Sequence, residues 1–273
     1  MYNIKPNKRL GQVFLKNRMV ISKIIEAGEL KPSDLILEIG PGQGILTKAL
    51  LKTGCQVIAF EKDPILKTNL EKELNQNPKI DLILGDIRDW LKNRKEWPLI
   101  FKKTSNYKVI ANIPYYLTSY LIRSFLELDK PPSIMVLLIQ KEVAQRLVSQ
   151  PPQTNLLAIA TQYYGQVSIV SHVPKEDFWP QPKIDSAVIK IQTQSKHRNK
   201  KQENIFFQIL KAGFSQPRKL LISNLNKNLK IDKKILIECF DKTKLEMQVR
   251  AQELSLEQWL SLTDFLFTCL NKK

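Results

Sequence analysis

The apolar residues of this chain fall into short blocks, most of them followed by a stretch in which apolar residues recur every three or four positions. "LILEIG" (35–40) precedes "GILTKALLKTG" (44–54), where Ile45, Leu46, Ala49 and Leu50 share one helical face. "VIAFE" (57–61) precedes the amphipathic "PILKTNLEKELNQ" (64–76), and "IDLILGD" (80–86) comes next. "YKVIANIPY" (107–115) leads into "TSYLIRSFLE" (118–127), and "SIMVLLIQ" (133–140) leads into "KEVAQRLVS" (141–149). Apolar runs of strand length, each followed by a helix, predict βαβ units around a parallel sheet buried on both faces. After a helix-like stretch at 154–164, "VSIVSHV" (167–173) and "SAVIKIQ" (186–192) have no helix between them. They predict an antiparallel pair at one sheet edge.

The pattern then changes. "TQSKHRNKKQEN" (193–204) is polar, basic and without apolar periodicity, and reads as a linker or a solvated charge run. Beyond it "IFFQILKAGF", "KLLISNLNKNL", "KKILIECF" and "LEQWLSLTDFLFTCL" are helical in pattern. The expected fold class is therefore α/β: a Rossmann-like domain over residues 1–193 with a small, basic, all-helical domain over 194–273.

Composition narrows the function classes. Of 273 residues, 43% are hydrophobic, enough for a sizeable core and against global disorder. The longest purely apolar stretches, such as "IMVLLI" (134–139), are too short to span a bilayer, and the basic N-terminus lacks the apolar region of a signal peptide. Cys55, Cys239 and Cys269 are too few and too scattered for a disulfide framework or a zinc site, so no metal is expected and the chain reads as cytosolic with reduced thiols. A formal charge of +17 favours a polyanionic partner through phosphate neutralisation. Residues 194–273 hold 16 Lys and Arg against 8 Asp and Glu, about twice the net charge per residue of the rest, which suits substrate docking.

Candidate chemistry gathers where the expected strands end. In "LEIGPGQGILT" (37–47) glycines stand at 40, 42 and 44, with Glu38 two residues before the first. A glycine turn from strand to helix lets backbone approach a ligand where a Cβ would collide. The spacing is not the dinucleotide fingerprint, because position 45 is Ile. Glu61 ends the next strand, where a carboxylate can accept both hydroxyls of a ribose; Asp63 before Pro64 is the better helix cap. Asp86 ends the third strand, either as a helix cap or as the acceptor for an adenine amine. "NIPY" (112–115) ends the fourth. An adenine amine is a poor nucleophile because its lone pair is delocalised into the ring. The Asn112 side-chain oxygen and a carbonyl of the Ile113–Pro114 turn could accept its N–H bonds and localise that pair. Pro114 would hold the turn still, and Tyr115 would offer a stacking face. A plain Asn-x-Pro turn is the alternative.

Together these residues resemble the S-adenosyl-methionine-dependent ribosomal RNA adenine N6-dimethyltransferases. The resemblance runs through "KRLGQVFL" (8–15), "EIGPGQGILT", "FEKD", "GDIRDW", "NIPYYLTS", "FWPQPKIDSAVIKI" (178–191), "FSQPRKLLISNL" (214–225) and "RAQELSLEQWLSL" (250–262). "GPGQG" and "PKIDSAV" are similar to the small-subunit (kasugamycin-sensitivity) branch, which acts on two adjacent adenines near the 3′ end of the rRNA. The resemblance implies S-adenosyl-methionine as methyl donor, with contacts from Leu15, Gly40, Glu61, Asp86 and Asn112; Val13 and Gly42 are counted with them. It implies catalysis at Asn112, Pro114 and Tyr115, and Phe178 covering the target base opposite Tyr115. From the residues alone, Phe178 could equally anchor its Pro-rich loop in the core, and Lys183 and Asp185 could brace that loop. Lys8 and Arg9 in the basic arm, and Arg218 and Lys219 in the tail, are the candidate RNA contacts. The expected partner is small-subunit rRNA or the immature subunit, with no membrane, and the protein is expected to be monomeric.

Two positions depart from the family's pattern. Val13 stands where Asn is usual, so any contact there must come from backbone or shape. Pro217 stands where a further basic residue is common, with Arg218 and Lys219 retained. Two other readings stay open on the sequence: an assembly factor that binds rRNA without methylating it, and an amino methyltransferase acting on DNA. A nicotinamide dehydrogenase is disfavoured by the glycine spacing and the charge.

Overall fold

The computed structural model describes residues 6–7, 10–74, 77–93, 106–194 and 199–270. Lys8 and Arg9 of the expected RNA contacts, and residues 195–198 of the expected linker, lie outside them. The chain enters through a two-residue strand, β1 (Phe14–Leu15), and helix α1 (Arg18–Ala27), capped by the Asn17 side chain accepting from the Met19 N–H. Neither element is announced by the apolar pattern.

From there strands and helices alternate as the pattern predicts. β2 (Leu35–Ile39), α2 (Ile45–Lys52), β3 (Gln56–Glu61), α3 (Pro64–Leu74), β4 (Ile80–Leu84) and α4 (Ile87–Lys92) form the first run. β5 (Tyr107–Asn112), α5 (Thr118–Leu126), β6 (Ile134–Gln140), α6 (Lys141–Leu147) and α7 (Leu156–Gln162) form the second. β7 (Gly165–Val173) and β9 (Ser186–Thr193) complete the sheet, with the two-residue β8 (Phe178–Trp179) between them in sequence but outside it. Its order is β4-β3-β2-β5-β6-β9-β7, with β2 to β6 parallel to their neighbours and β9 antiparallel to both β6 and β7.

Burial follows topology. Every residue of β2 is buried, as a strand covered on both faces requires, whereas β7 at the edge alternates buried and open positions. Lys108 on β5 is itself buried, and its Nζ donates to the Gly28 and Glu29 carbonyls and to Asp34 Oδ2 (3.0, 2.6 and 2.8 Å). It thereby ties the end of α1 to the sheet; removing one partner of a buried pair of this kind costs on the order of 3 kcal/mol.

The chain runs outward from β2 through β3 to β4, then returns to lay β5 on the other side of β2. Between β2 and β5 the strand order reverses, and the crevice beyond the strand ends at such a switch point is where open α/β sheets bind ligands. β1 is not in this sheet. It pairs antiparallel with β8, Phe14 opposite Trp179 and Leu15 opposite Phe178.

The chain divides into two compact units, 1–145 with 165–194, and 146–164 with 195–273. This differs from the expected boundary at 193/194, because the excursion at 146–164 packs with the C-terminal helices α8 (Lys200–Gly213), α9 (Leu221–Leu229), α10 (Lys233–Lys242) and α11 (Leu256–Leu270). The reason is aromatic: Tyr163 stacks on Phe206 at 4.5 Å, and the Tyr164 hydroxyl donates to Glu203 at 3.0 Å. The expected linker is also shorter than its composition suggests. Asn199 and Gln202 form a capping box that starts α8 at Lys200. Among the described residues no helix is long and apolar enough to cross a membrane.

Candidate active site

The glycine turn after β2 uses all three glycines in the left-handed region, with φ of +67° at Gly40, +60° at Gly42 and +75° at Gly44. A Cβ at Gly44 would lie 2.3 Å from Leu70 Cδ2, so a side chain there would displace the buried Leu70 as well as strain the backbone. A Cβ at Gly42 would approach the Phe14 ring at 3.1 Å, while one at Gly40 would meet nothing within 4 Å. The turn therefore offers bare backbone to an open space.

Two carboxylates stand behind it on adjacent strands. Glu61, buried at the end of β3, accepts from the Gly42 N–H at 3.0 Å and from the Asp63 N–H at 2.8 Å. Burial raises its pKa, and these two bonds oppose the rise. Glu38 on β2 is 1% exposed, its Oε2 has no hydrogen-bond partner, and burial pushes its carboxyl up to about 8. Asp63 caps α3 by accepting from the Ile65 N–H, and its second oxygen accepts from Gln12 Nε2 at 2.8 Å.

Asp86 is the N-cap of α4, accepting from the Arg88 N–H at 2.9 Å. Its carboxylate also accepts from Arg88 Nη2 at 2.6 Å and Lys62 Nζ at 3.2 Å, and the Arg88 guanidinium holds its pKa well below the usual range. Both alternatives weighed for an acid at this strand end, cap and ligand acceptor, thus compete for the same oxygens.

At the end of β5, Asn112 Nδ2 donates to the Val13 carbonyl at 3.2 Å. That bond orients the amide and leaves Oδ1 as its acceptor. It also shows what position 13 contributes: a main-chain oxygen that any side chain would supply. The Pro114 carbonyl accepts from the Leu117 N–H at 2.9 Å in the short 3-10 turn that follows, so Ile113 provides the turn's remaining carbonyl. The Tyr115 hydroxyl and Ser186 Oγ are 2.8 Å apart, and Ser186 is buried at the start of β9. Burial raises the Tyr115 pKa, opposed by this bond. Ser186 pins the ring; its place in "PKIDSAV" was legible only as a family feature.

The N-terminal arm crosses this rim. Besides the β1–β8 pairing and the Gln12–Asp63 bond, the Lys16 N–H donates to the Asp177 carbonyl at 2.7 Å. Val13, Leu15, Gly40, Gly42, Glu61, Asp86, Asn112, Pro114 and Tyr115 all line one cleft of about 1130 Å³, mouth included. Glu38, Gln12, Phe14 and Tyr116 line it too, and were not singled out as site residues from the sequence.

Phe178 is not on that wall. It is 1% exposed and belongs to the core cluster that contains Leu15, Val173 and Val188. The cause is β1: pairing Leu15 with Phe178 covers the ring. The next residue, Trp179, is 44% exposed and stacks on Phe14 with centroids 6.3 Å apart. Asp185 braces the loop, its Oδ1 accepting from the Lys175 N–H. Arg218 and Lys219 are exposed on the second unit, ahead of α9. Among the described residues no group of three His, Cys, Asp or Glu side chains is placed to hold a metal.

Known proteins resemble this chain over nearly its whole length. The family model described as ribosomal RNA adenine dimethylase matches residues 3–267. The ribosomal RNA small subunit methyltransferase A of Dehalococcoides mccartyi (strain ATCC BAA-2266) is 38% identical over 263 residues, 96% of this chain and 88% of its own. That of Rippkaea orientalis is 39% identical over 273 residues, 97% of this chain and 98% of its own. Among solved structures, a dimethyladenosine transferase from Plasmodium falciparum aligns at TM-score 0.77 and 25% identity, covering 95% of this chain and 98% of that one. The 23S rRNA methyltransferase ErmE aligns at 0.76 and 24% identity, covering 93% and 99%, a likeness of fold.

Proposed function

The chain belongs to the ribosomal RNA adenine dimethylase family and dimethylates adenines of small-subunit rRNA; from that premise we propose that it moves methyl groups from S-adenosyl-methionine to the N6 amines of two adjacent adenines near the RNA's 3′ end. The observation that carries this reading is convergence: the glycine turn, two strand-end acids and the "NIPY" turn line one cleft at the switch point of the sheet.

The residues present fit such a donor. The glycine turn leaves space where Gly40 would otherwise carry a side chain, and Glu61 keeps lone pairs beyond its two backbone bonds for a pair of hydroxyls. Gly40, Gly42, Glu61 and Asp86 would hold the donor, with Val13 and Leu15 walling it from the arm. S-adenosyl-methionine, when bound, supplies a methyl group already activated by a positively charged sulfur.

The chain's own contribution is orientation. Asn112 Oδ1, turned by the Val13 carbonyl, and the Ile113 carbonyl accept the two N–H bonds of the target amine. This draws the nitrogen lone pair out of conjugation and aims it. Pro114 fixes the turn, and the Tyr115 ring, pinned by Ser186, stacks on the base for about 1–3 kcal/mol. The nitrogen becomes strongly acidic once it carries the new methyl, and its proton leaves to solvent without a tuned base. Arg218 and Lys219, with Lys8 and Arg9, would neutralise phosphates and make binding steeply salt-dependent.

Transfer of labelled methyl to small subunits lacking the modification tests the reading. Wild type is expected to produce dimethyladenosine, and Asn112→Ala to lose about 10²–10³ in rate, as when one preorganised polar group is removed from a transition state. Tight, salt-sensitive binding without transfer by wild type would instead leave an rRNA-binding assembly factor.

A further inference from the structure

Four charged side chains line the cleft, and three of them are already compensated. Glu61 holds two backbone N–H groups, Asp86 holds Arg88 and Lys62, and Lys62 is the partner in that pair. Glu38 is the exception: it is 1% exposed, lies on the central strand, and has one carboxylate oxygen without a partner. From α2 it faces the Thr47 hydroxyl, whose approach favours the carboxylate but does not offset the burial; from β3 it faces Glu61, which raises its pKa further; the other residues named on the wall from the arm and the β5 turn carry no charge. A buried acid in such surroundings stays protonated unless a cation arrives.

The cleft's donor brings one. S-adenosyl-methionine carries a sulfonium, an ammonium and a carboxylate, a net positive charge; the demethylated product carries a neutral sulfur and no net charge. We propose that Glu38 is a specificity-determining residue that distinguishes the two, supplying the counter-charge for the cationic donor and surrendering its proton to solvent as the donor binds. The proton lost on donor binding is regained when methyl transfer leaves the neutral product, so Glu38 favours exchange of product for donor. This inference rests on the reading of the cleft as the S-adenosyl-methionine site.

The sign of the pH effect on the ligand-free protein follows. The unfolded chain releases this proton near 4.5, while the folded chain holds it to about 8. Stability is therefore fully present below about 4.5 and declines as pH rises toward 8. Glu38→Gln, which keeps the shape of the protonated side chain, is expected to remove that part of the decline.

Titration calorimetry of the full chain at pH 7, with S-adenosyl-methionine and separately with S-adenosyl-homocysteine, in phosphate and in Tris, counts protons through the buffers' different ionisation heats. Wild type is expected to release close to one proton with the donor and clearly less with the product. Glu38→Gln is expected to release none and to lose at least about tenfold in donor affinity, against less than about threefold for the product. Equal losses for both ligands, or an unchanged proton count in the variant, would overturn the proposal and leave the cofactor reading intact. Failure of wild type to bind either ligand would remove the cofactor reading itself. Should the variant not fold, the difference between the wild-type proton counts with donor and with product decides the matter, because Glu61, also raised by burial, is assigned to the hydroxyls that both ligands share.

Discussion

The rim of the sheet and the arm that crosses it enclose the same cleft, but they are built differently. The rim is held from below mainly by the buried strands β2, β3 and β5, and its functional groups are side chains fixed at or just past strand ends: Glu61, Asn112 and, after the more open β4, Asp86. Among its described residues the arm has two residues of strand, a side-chain bond to Asp63, main-chain bonds at Val13 and Lys16, and Leu15 in the core. A segment joined to its neighbours by fewer bonds than a sheet strand is expected to open at a lower free energy than the strands do.

One position joins the two halves, and breaking it carries the largest expected effect. Gly42→Ala would force a side chain onto a φ of +60° and into the Phe14 ring. A stability loss of about 1–2 kcal/mol is expected from the backbone alone. With Phe14 displaced from the cleft, S-adenosyl-methionine affinity by calorimetry should fall by about tenfold or more, with circular dichroism unchanged.

Loosening the arm alone should do less. Gln12→Ala removes its one side-chain bond to the rim, worth about 1 kcal/mol. Hydrogen exchange at Phe14 and Leu15 is expected to quicken by about fivefold while the amides of β2 and β5 keep their protection. Equal loosening of arm and strands would dissolve the distinction.

The smallest effect is expected within the rim. Tyr115→Phe deletes the bond to Ser186 but keeps the aromatic face. Methyl transfer should stay within a few-fold of wild type and thermal stability should drop by about 1 kcal/mol equivalent. A loss as large as that of Asn112→Ala would mean that the hydroxyl, rather than the ring, is what the reaction uses.

The same division explains what could be read from the chain before its structure. Rim residues are legible because their types are demanded by their tasks. Glycine best tolerates the left-handed backbone of residues 40, 42 and 44, and an acid at the end of an apolar strand advertises itself, so the cleft's floor and the alternation of strand and helix from β2 to β6 follow from the pattern, while the strand order in the sheet does not. The arm is opaque because its bonds are main-chain ones. The Val13 carbonyl and the Lys16 amide leave no trace in residue type, and a two-residue strand has no period to detect. The burial of Phe178 was hidden for that reason: the pairing of β1 with β8 cannot be read from the chain, and core anchor and base cover stood level for that aromatic. That the excursion at 146–164 groups with the C-terminal helices is not legible either, because helical periodicity says which face is buried and not what buries it. Glu38 was visible as a letter in the motif, but its lack of a partner is a property of the packed interior.

The bond from Asn112 to the Val13 carbonyl has a consequence for mutation. A contact made by the peptide group is encoded by no codon, so the oxygen that steers Asn112 survives a change of side chain at position 13, as the valine standing there in place of the family's usual asparagine illustrates. What such a change alters is the wall of the cleft, not the aim of the amide.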